Sequence, residues 1–236
     1  MSKMLFPRWV NALPTVVAIG AVGGVATVSM GTWYWATPEF WEVGYMPTQP
    51  GTGFNHQIHA GRLGMDCRYC HTNVEDSHWA NIPTVNTCMA CHTDGKLAPQ
   101  YDPGEKVAFV REAYAADESI PWRRIHKLPD YVGNFPHHMH VNAGVSCYSC
   151  HGQVRGMPVV HQEESISMGW CLDCHRNVED NIVGPSKVTD LVWVEEHLKE
   201  RAKGADNATP EAKRIIESLQ NSVAEGGPQN CGACHQ

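Results

Sequence analysis

Between Arg8 and Glu39 the chain carries no charged residue. At about 1.5 Å rise per residue, an apolar run over 15–36 reaches roughly 33 Å as a helix, enough for a bilayer core. Trp33, Tyr34, Trp35 and Trp41 gather at its C-terminal end, as an interfacial aromatic belt does. Lys3 and Arg8 precede the run, and Glu39 and Glu42 follow it. The positive-inside rule therefore places the N-terminus in the cytoplasm and everything after Ala36 outside. A cleaved signal peptide shares the basic start and apolar middle. No A-x-A site closes this stretch, however, and it is longer than a typical signal core, so an uncleaved anchor is expected. Gly20 and Gly24, four apart, would let a partner helix approach closely.

Beyond the anchor the pattern is broken and loop-rich. Residues 37–53 hold three Pro and three Gly and predict an extended linker. Residues 104–118 have helical periodicity, and 188–203 form another amphipathic stretch. Thr209-Pro210-Glu211 is a helix start, with Thr as cap and Pro in the first turn. That helix is expected to run to about Val223 and stop at Gly226-Gly227. The predicted fold class is mainly α with extensive loops and almost no strand.

Composition narrows the chemistry. The net charge of −7 argues against a nucleic-acid binder, which usually carries a basic stripe. A hydrophobic share of 42% with eight Trp argues against global disorder. Fourteen His and ten Cys point to a metal or haem protein.

All ten cysteines fall into C-x-x-C pairs, each followed at once by His. They are Cys67-Cys70-His71, Cys88-Cys91-His92, Cys147-Cys150-His151, Cys171-Cys174-His175 and Cys231-Cys234-His235. C-x-x-C-H is the attachment signature of c-type haem. Two thiols at this spacing reach the two vinyl groups of one porphyrin, and the adjacent His lies under the iron as proximal ligand. A zinc ribbon pairs two C-x-x-C units around one metal, which gives no reason for the His and strands the odd unit. A redox dithiol needs only one motif. Five covalent haems are therefore expected.

The motifs are duplicated. Phe54, His56 and His59 form F-x-H-x-x-H before Cys67; Phe135, His137 and His140 form the same pattern before Cys147. His78 and His161 each stand ten residues before the next pair. The chain thus divides into a cytoplasmic tail (1–13), a transmembrane helix (14–36), a linker (37–53), a two-haem module (54–100), a helical connector (101–134), a second two-haem module (135–180), a helical segment (181–229) and a fifth haem motif (230–236).

These modules resemble the small multihaem class III cytochromes. In that family the first His of F-x-H-x-x-H is distal ligand of its own haem, and the second serves a neighbouring haem. The resemblance implies His56 opposite His71, His59 opposite His92, His137 opposite His151 and His140 opposite His175. The fifth distal ligand stays open among His161, which fits the three-haem pattern, Met168, His126 and His78. His138 and His197 are expected not to be ligands, His197 being read as a solvated residue in a Glu/Lys-rich helix.

Closed, six-coordinate irons exchange electrons and do not bind substrate. With no G-x-G-x-x-G, Walker loop or Ser-His-Asp pattern, no catalytic site of the chain's own is expected. Several local stretches carry a more specific resemblance: GYMPTQP (44–50), GMDCRYCH (64–71), IP (82–83) with CMACH (88–92), HKLPD (126–130) and MGWCLDCHR (168–176). Together they look like the pentahaem cytochrome c subunit of bacterial alternative complex III. That resemblance implies an electron relay within a menaquinol-oxidising membrane complex. The partners it implies are an iron–sulfur subunit of molybdopterin-oxidoreductase type, multispan membrane subunits and a monohaem cytochrome. Electrons would pass to periplasmic cytochrome or oxidase acceptors. The family's motifs include the His126 and Met168 positions. The main alternative is a self-contained quinol dehydrogenase feeding a periplasmic reductase; a multihaem reductase with an open iron is a third.

Overall fold

The computed structural model describes residues 7–36, 53–126, 128, 132–133, 135–222 and 226–235. The linker expected over 37–53 lies, but for Gly53, outside the described residues. The chain forms two compact units, Met1–Glu42 and Val43–Gln236.

The first unit is one helix, α1 (Leu13–Ala36), entered through a 3-10 turn, Arg8–Ala12. Val16, Val22 and Val28 are 61, 71 and 68% exposed, although they project to different sides. A helix that is apolar all round and uncovered by its own unit has the surface a lipid phase would accept. Thr27 satisfies its hydroxyl internally by donating to the Gly23 carbonyl at 2.8 Å.

The second unit is built from short helices and loops, with no strand among the described residues. A single antiparallel bridge pairs Val145 with Ile182. The helices are α2 (Cys67–Cys70), α3 (Val85–His92), α4 (Ala108–Ala115), α5 (His137–Asn142), α6 (Cys147–His151), α7 (Met168–Arg176), α8 (Leu191–Ala202), α9 (Pro210–Gln220) and α10 (Cys231–Cys234). A π-helical turn, Gln57–Arg62, precedes α2. The periodic stretch at 104–118 becomes a 3-10 turn, Gly104–Val107, followed by α4. The helix expected to reach Val223 ends at Gln220, while 223–225 lie outside the described residues.

Side-chain cores are small. Val74, Val141 and Val188 make one cluster; Val178, Ile182 and Ala212 make the other, with Ile215, Ile216 and Leu219 packed on it. Among the described residues, thirteen hydrophobic side chains are buried, fewer than a domain of this length ordinarily rests on. α9 is fixed at its start by Thr209, whose hydroxyl accepts from Ala212 N–H at 3.0 Å and donates to the Val183 carbonyl at 2.9 Å. Nearby, the backbone crosses itself at Gly144 and Gly184. Both have positive φ, and Val183 N–H donates to the Gly144 carbonyl at 2.9 Å.

Candidate functional site

The cysteine pairs of all five C-x-x-C-H motifs lie within short helices, so that cysteines at i and i+3 share one face. Capping residues start three of these helices. Asp66 accepts from Arg68 N–H at 2.9 Å, Ser146 from Tyr148 N–H at 3.1 Å and Ser167 from Trp170 N–H at 3.3 Å. The Cys88–His92 motif closes α3.

The repeated F-x-H-x-x-H sequence folds the same way twice. Phe54 stacks on His59 at 4.4 Å and meets His56 edge-on at 4.7 Å. Phe135 stacks on His140 at 4.6 Å and meets His137 edge-on at 5.1 Å. In both copies the second histidine donates from Nδ1 to the carbonyl four residues earlier, Asn55 at 3.0 Å and Pro136 at 2.9 Å.

Each of three motif histidines faces a ring from these clamps. His56 and His71 are 6.5 Å apart by centroid with planes 3° from parallel. His59 and His92 are 6.1 Å apart, as are His140 and His175. A metal between two imidazole nitrogens, with bonds of about 2 Å on each side plus the half-width of each ring, sets centroids about 6 Å apart. Each of these three pairs could therefore hold a metal between its rings.

The second copy departs from the first at His137. Its Nδ1 donates to the His78 carbonyl at 2.6 Å, and the ring that meets His151 is His126, edge-on at 4.2 Å. The loop that carries His126 has no periodicity, so its approach to His151 could not be read from spacing. Of the other candidates for the fifth distal position, His161 bonds Glu163 through Nε2 at 3.0 Å, and Met168 is 68% exposed. His78 lies beside His138, with ring centroids 5.2 Å apart.

Burial favours the neutral form of several of these rings. Burial, then His71, pushes His56 down to about 4. Burial, then His126, pushes His151 to about 3, and burial, then His161, takes His126 to about 4. Burial also lowers His92, His137 and His140. A neutral imidazole is the form that binds a metal. Backbone carbonyls choose the tautomer. His71 Nδ1 donates to the Asn81 carbonyl and His175 Nδ1 to the Pro228 carbonyl, both at 2.6 Å, because a carbonyl can only accept. Nε2 is left with its lone pair. Asn81 makes its contact from a left-handed backbone, φ 67°, which Asn tolerates better than most residues. Asn81 and Pro228 both lie outside every C-x-x-C-H, so no motif singles them out. Among the described residues, buried His56 Nδ1, His92 Nδ1, His126 Nε2 and His138 Nδ1 have no hydrogen-bond partner.

The thiols lie near one another across motifs. Cys67, then burial, holds the Cys147 thiol well above its usual range. Burial, then Cys174 and Cys171, pushes Cys150 up to about 12. Among the described residues, no three His, Cys, Asp or Glu side chains converge as a zinc site requires.

His197 corrects one expectation. It is buried rather than solvated, stacked on Trp193 at 4.2 Å, and its Nε2 accepts from Arg201 Nη2 at 2.9 Å. Trp193 and Arg201 stand four residues to either side on α8 and enclose the ring.

No protein-family model matches the chain. Over 200 residues it is 29% identical to the menaquinone reductase, multiheme cytochrome c subunit, of Nitratidesulfovibrio vulgaris, spanning 80% of this chain and 84% of that one.

Proposed function

We propose that the chain is a membrane-anchored multihaem cytochrome c that relays electrons within a quinol-linked oxidoreductase complex. Facing imidazoles at 6.1 to 6.5 Å, one of each pair closing a C-x-x-C-H motif, carry this reading. The likeness to a multihaem subunit of a menaquinone reductase supports it independently. When bound, haem supplies a one-electron carrier whose potential its axial ligands and surroundings set. The chain's part is positional. Ten cysteines tether five porphyrins, and His71, His92, His151, His175 and His235 serve as proximal ligands. His56, His59 and His140 oppose the first, second and fourth of these, and His137, its Nδ1 held by the His78 carbonyl, opposes His151. Carbonyls of Asn55, Asn81, Pro136 and Pro228 hold Nδ1 protons and aim Nε2 at the metal.

α1 is the anchor in this reading, with the N-terminus cytoplasmic and the haem-bearing part outside. The finer assignment, alternative complex III with an iron–sulfur donor and periplasmic cytochrome or oxidase acceptors, rests on the local motifs alone. It requires electrons to leave menaquinol, whereas the relative's name describes menaquinone reduction.

Two measurements test the reading. A pyridine haemochrome assay with intact mass on the purified chain is expected to give five covalent haems. Four or fewer overturns the count, and none overturns the function. Menaquinol added to the purified complex is expected to reduce the haems only when partner subunits are present. Reduction of the isolated chain would instead make it a self-contained quinol dehydrogenase.

A further inference from the structure

Resting on the haem reading above, we infer that the five haems follow one another in space in the order second, first, third, fourth, fifth. The two ends of the relay are then Cys88–His92 and Cys231–His235, and the two modules meet through their first motifs.

Four junctions carry this order. The first and second motifs share one clamp: His56 faces His71, and His59, three residues on, faces His92.

Successive residues of a single strap join the first and third motifs. Thr189 donates its hydroxyl to Asp66, the cap of α2, at 2.8 Å. The preceding Val188 carbonyl accepts from the Ser146 hydroxyl, the cap of α6, at 2.7 Å and from Cys147 N–H at 3.2 Å. Further ties reinforce this joint: His137 reaches the His78 carbonyl, Asn142 donates to the Glu75 carbonyl at 2.9 Å, and Val74, Val141 and Val188 pack together.

The third and fourth motifs meet through the second clamp, which precedes Cys147 and whose His140 faces His175 at 6.1 Å. The fourth and fifth are joined by the segment that leads into α10. Gly227 N–H donates to the His175 carbonyl at 3.0 Å, Pro228 receives the His175 Nδ1 proton, and Arg176 donates to Gln229 at 3.3 Å. A Cβ at Gly227 would stand 2.6 Å from the His175 ring, so only glycine lets the segment lie so close.

The order differs from the sequence in one decisive respect: the first haem is interior and the second is terminal. Removal of the first haem by C67A/C70A therefore distinguishes the two. Low-temperature EPR with power saturation on the fully oxidised complex reads magnetic coupling between neighbouring ferric irons. The variant is expected to show four haems, one of them isolated and slowly relaxing, beside a coupled group of three. Four coupled haems with none isolated would overturn the order. C231A/C234A, which removes an end, is expected to leave four coupled. If C67A/C70A does not mature, electron cryo-microscopy of the wild-type complex decides the matter. The first iron must have the second and third as its nearest neighbours; a second iron adjacent to the third and far from the first overturns the inference. A haem count below five in the wild type is a separate failure, of the underlying reading.

Discussion

The rings of His56 and His71 face each other 6.5 Å apart with planes 3° from parallel, although fourteen residues and a complete attachment helix separate them in sequence. His56→Ala is expected to leave all five thioether-bound haems in place and to open one coordination position. The EPR spectrum should gain a single high-spin ferric component, and the reduced protein should bind carbon monoxide at one haem. An unchanged low-spin spectrum would remove His56 as a ligand.

Asn81 tests how the backbone tunes an axial ligand. Its carbonyl accepts the His71 Nδ1 proton at 2.6 Å from a left-handed conformation. Asn81→Gly keeps that conformation and should behave as wild type. Asn81→Val disfavours it, weakening the bond that raises the basicity of His71. A less basic ligand stabilises ferric iron less, so the midpoint potential of one haem should rise. Equal potentials in the two variants would separate Asn81 from the ligand.

Backbone crossing makes Gly144 intolerant of any side chain. A Cβ there would stand 2.7 Å from both Gly184 Cα and Gly184 N, and its φ of +83° is itself unfavourable for an L residue. Gly144→Ala should destabilise the protein by about 1–3 kcal/mol from overpacking alone. Gly156→Ala, where nothing lies within 4 Å, should stay within about 0.5 kcal/mol of wild type. Denaturant titration of both variants checks the contrast.

His197 makes stability depend on pH. Burial, then Arg201, lowers its pKa below 6.5 in the folded chain. The unfolded chain therefore binds the proton first as pH falls. The stabilisation it represents is complete above about pH 6.5 and is lost as pH drops from there toward the lowered folded value. His197→Gln should flatten this part of the pH–stability curve. An unchanged slope would assign it to other groups.

The C-x-x-C-H helices and the duplicated F-x-H-x-x-H clamps were legible because both are local patterns. Phe54 and His59 stack through their spacing within one turn, and Phe135 and His140 repeat it. The facing of His59 and His92 was available only through resemblance to known cytochromes, since 32 residues intervene. His126 beside His151 was not legible, because an aperiodic loop leaves a ring's destination to the tertiary fold. The burial of His197 was misread from the charges around it. Trp193 and Arg201 at i−4 and i+4 were the available signal, outweighed by neighbouring Glu and Lys. The strap at Val188-Thr189 left no mark at all, being two ordinary residues whose backbone and hydroxyl find distant caps.

Thirteen buried hydrophobic side chains give the second unit little with which to fold unaided. On the proposed reading, the missing interior is supplied from outside the polypeptide. Export and attachment then become part of folding, and a chain short of its prosthetic groups is an open target for periplasmic proteases. The steady-state amount of this protein in the membrane should accordingly track the cell's haem supply, making its abundance a gauge of that supply before any electron is carried.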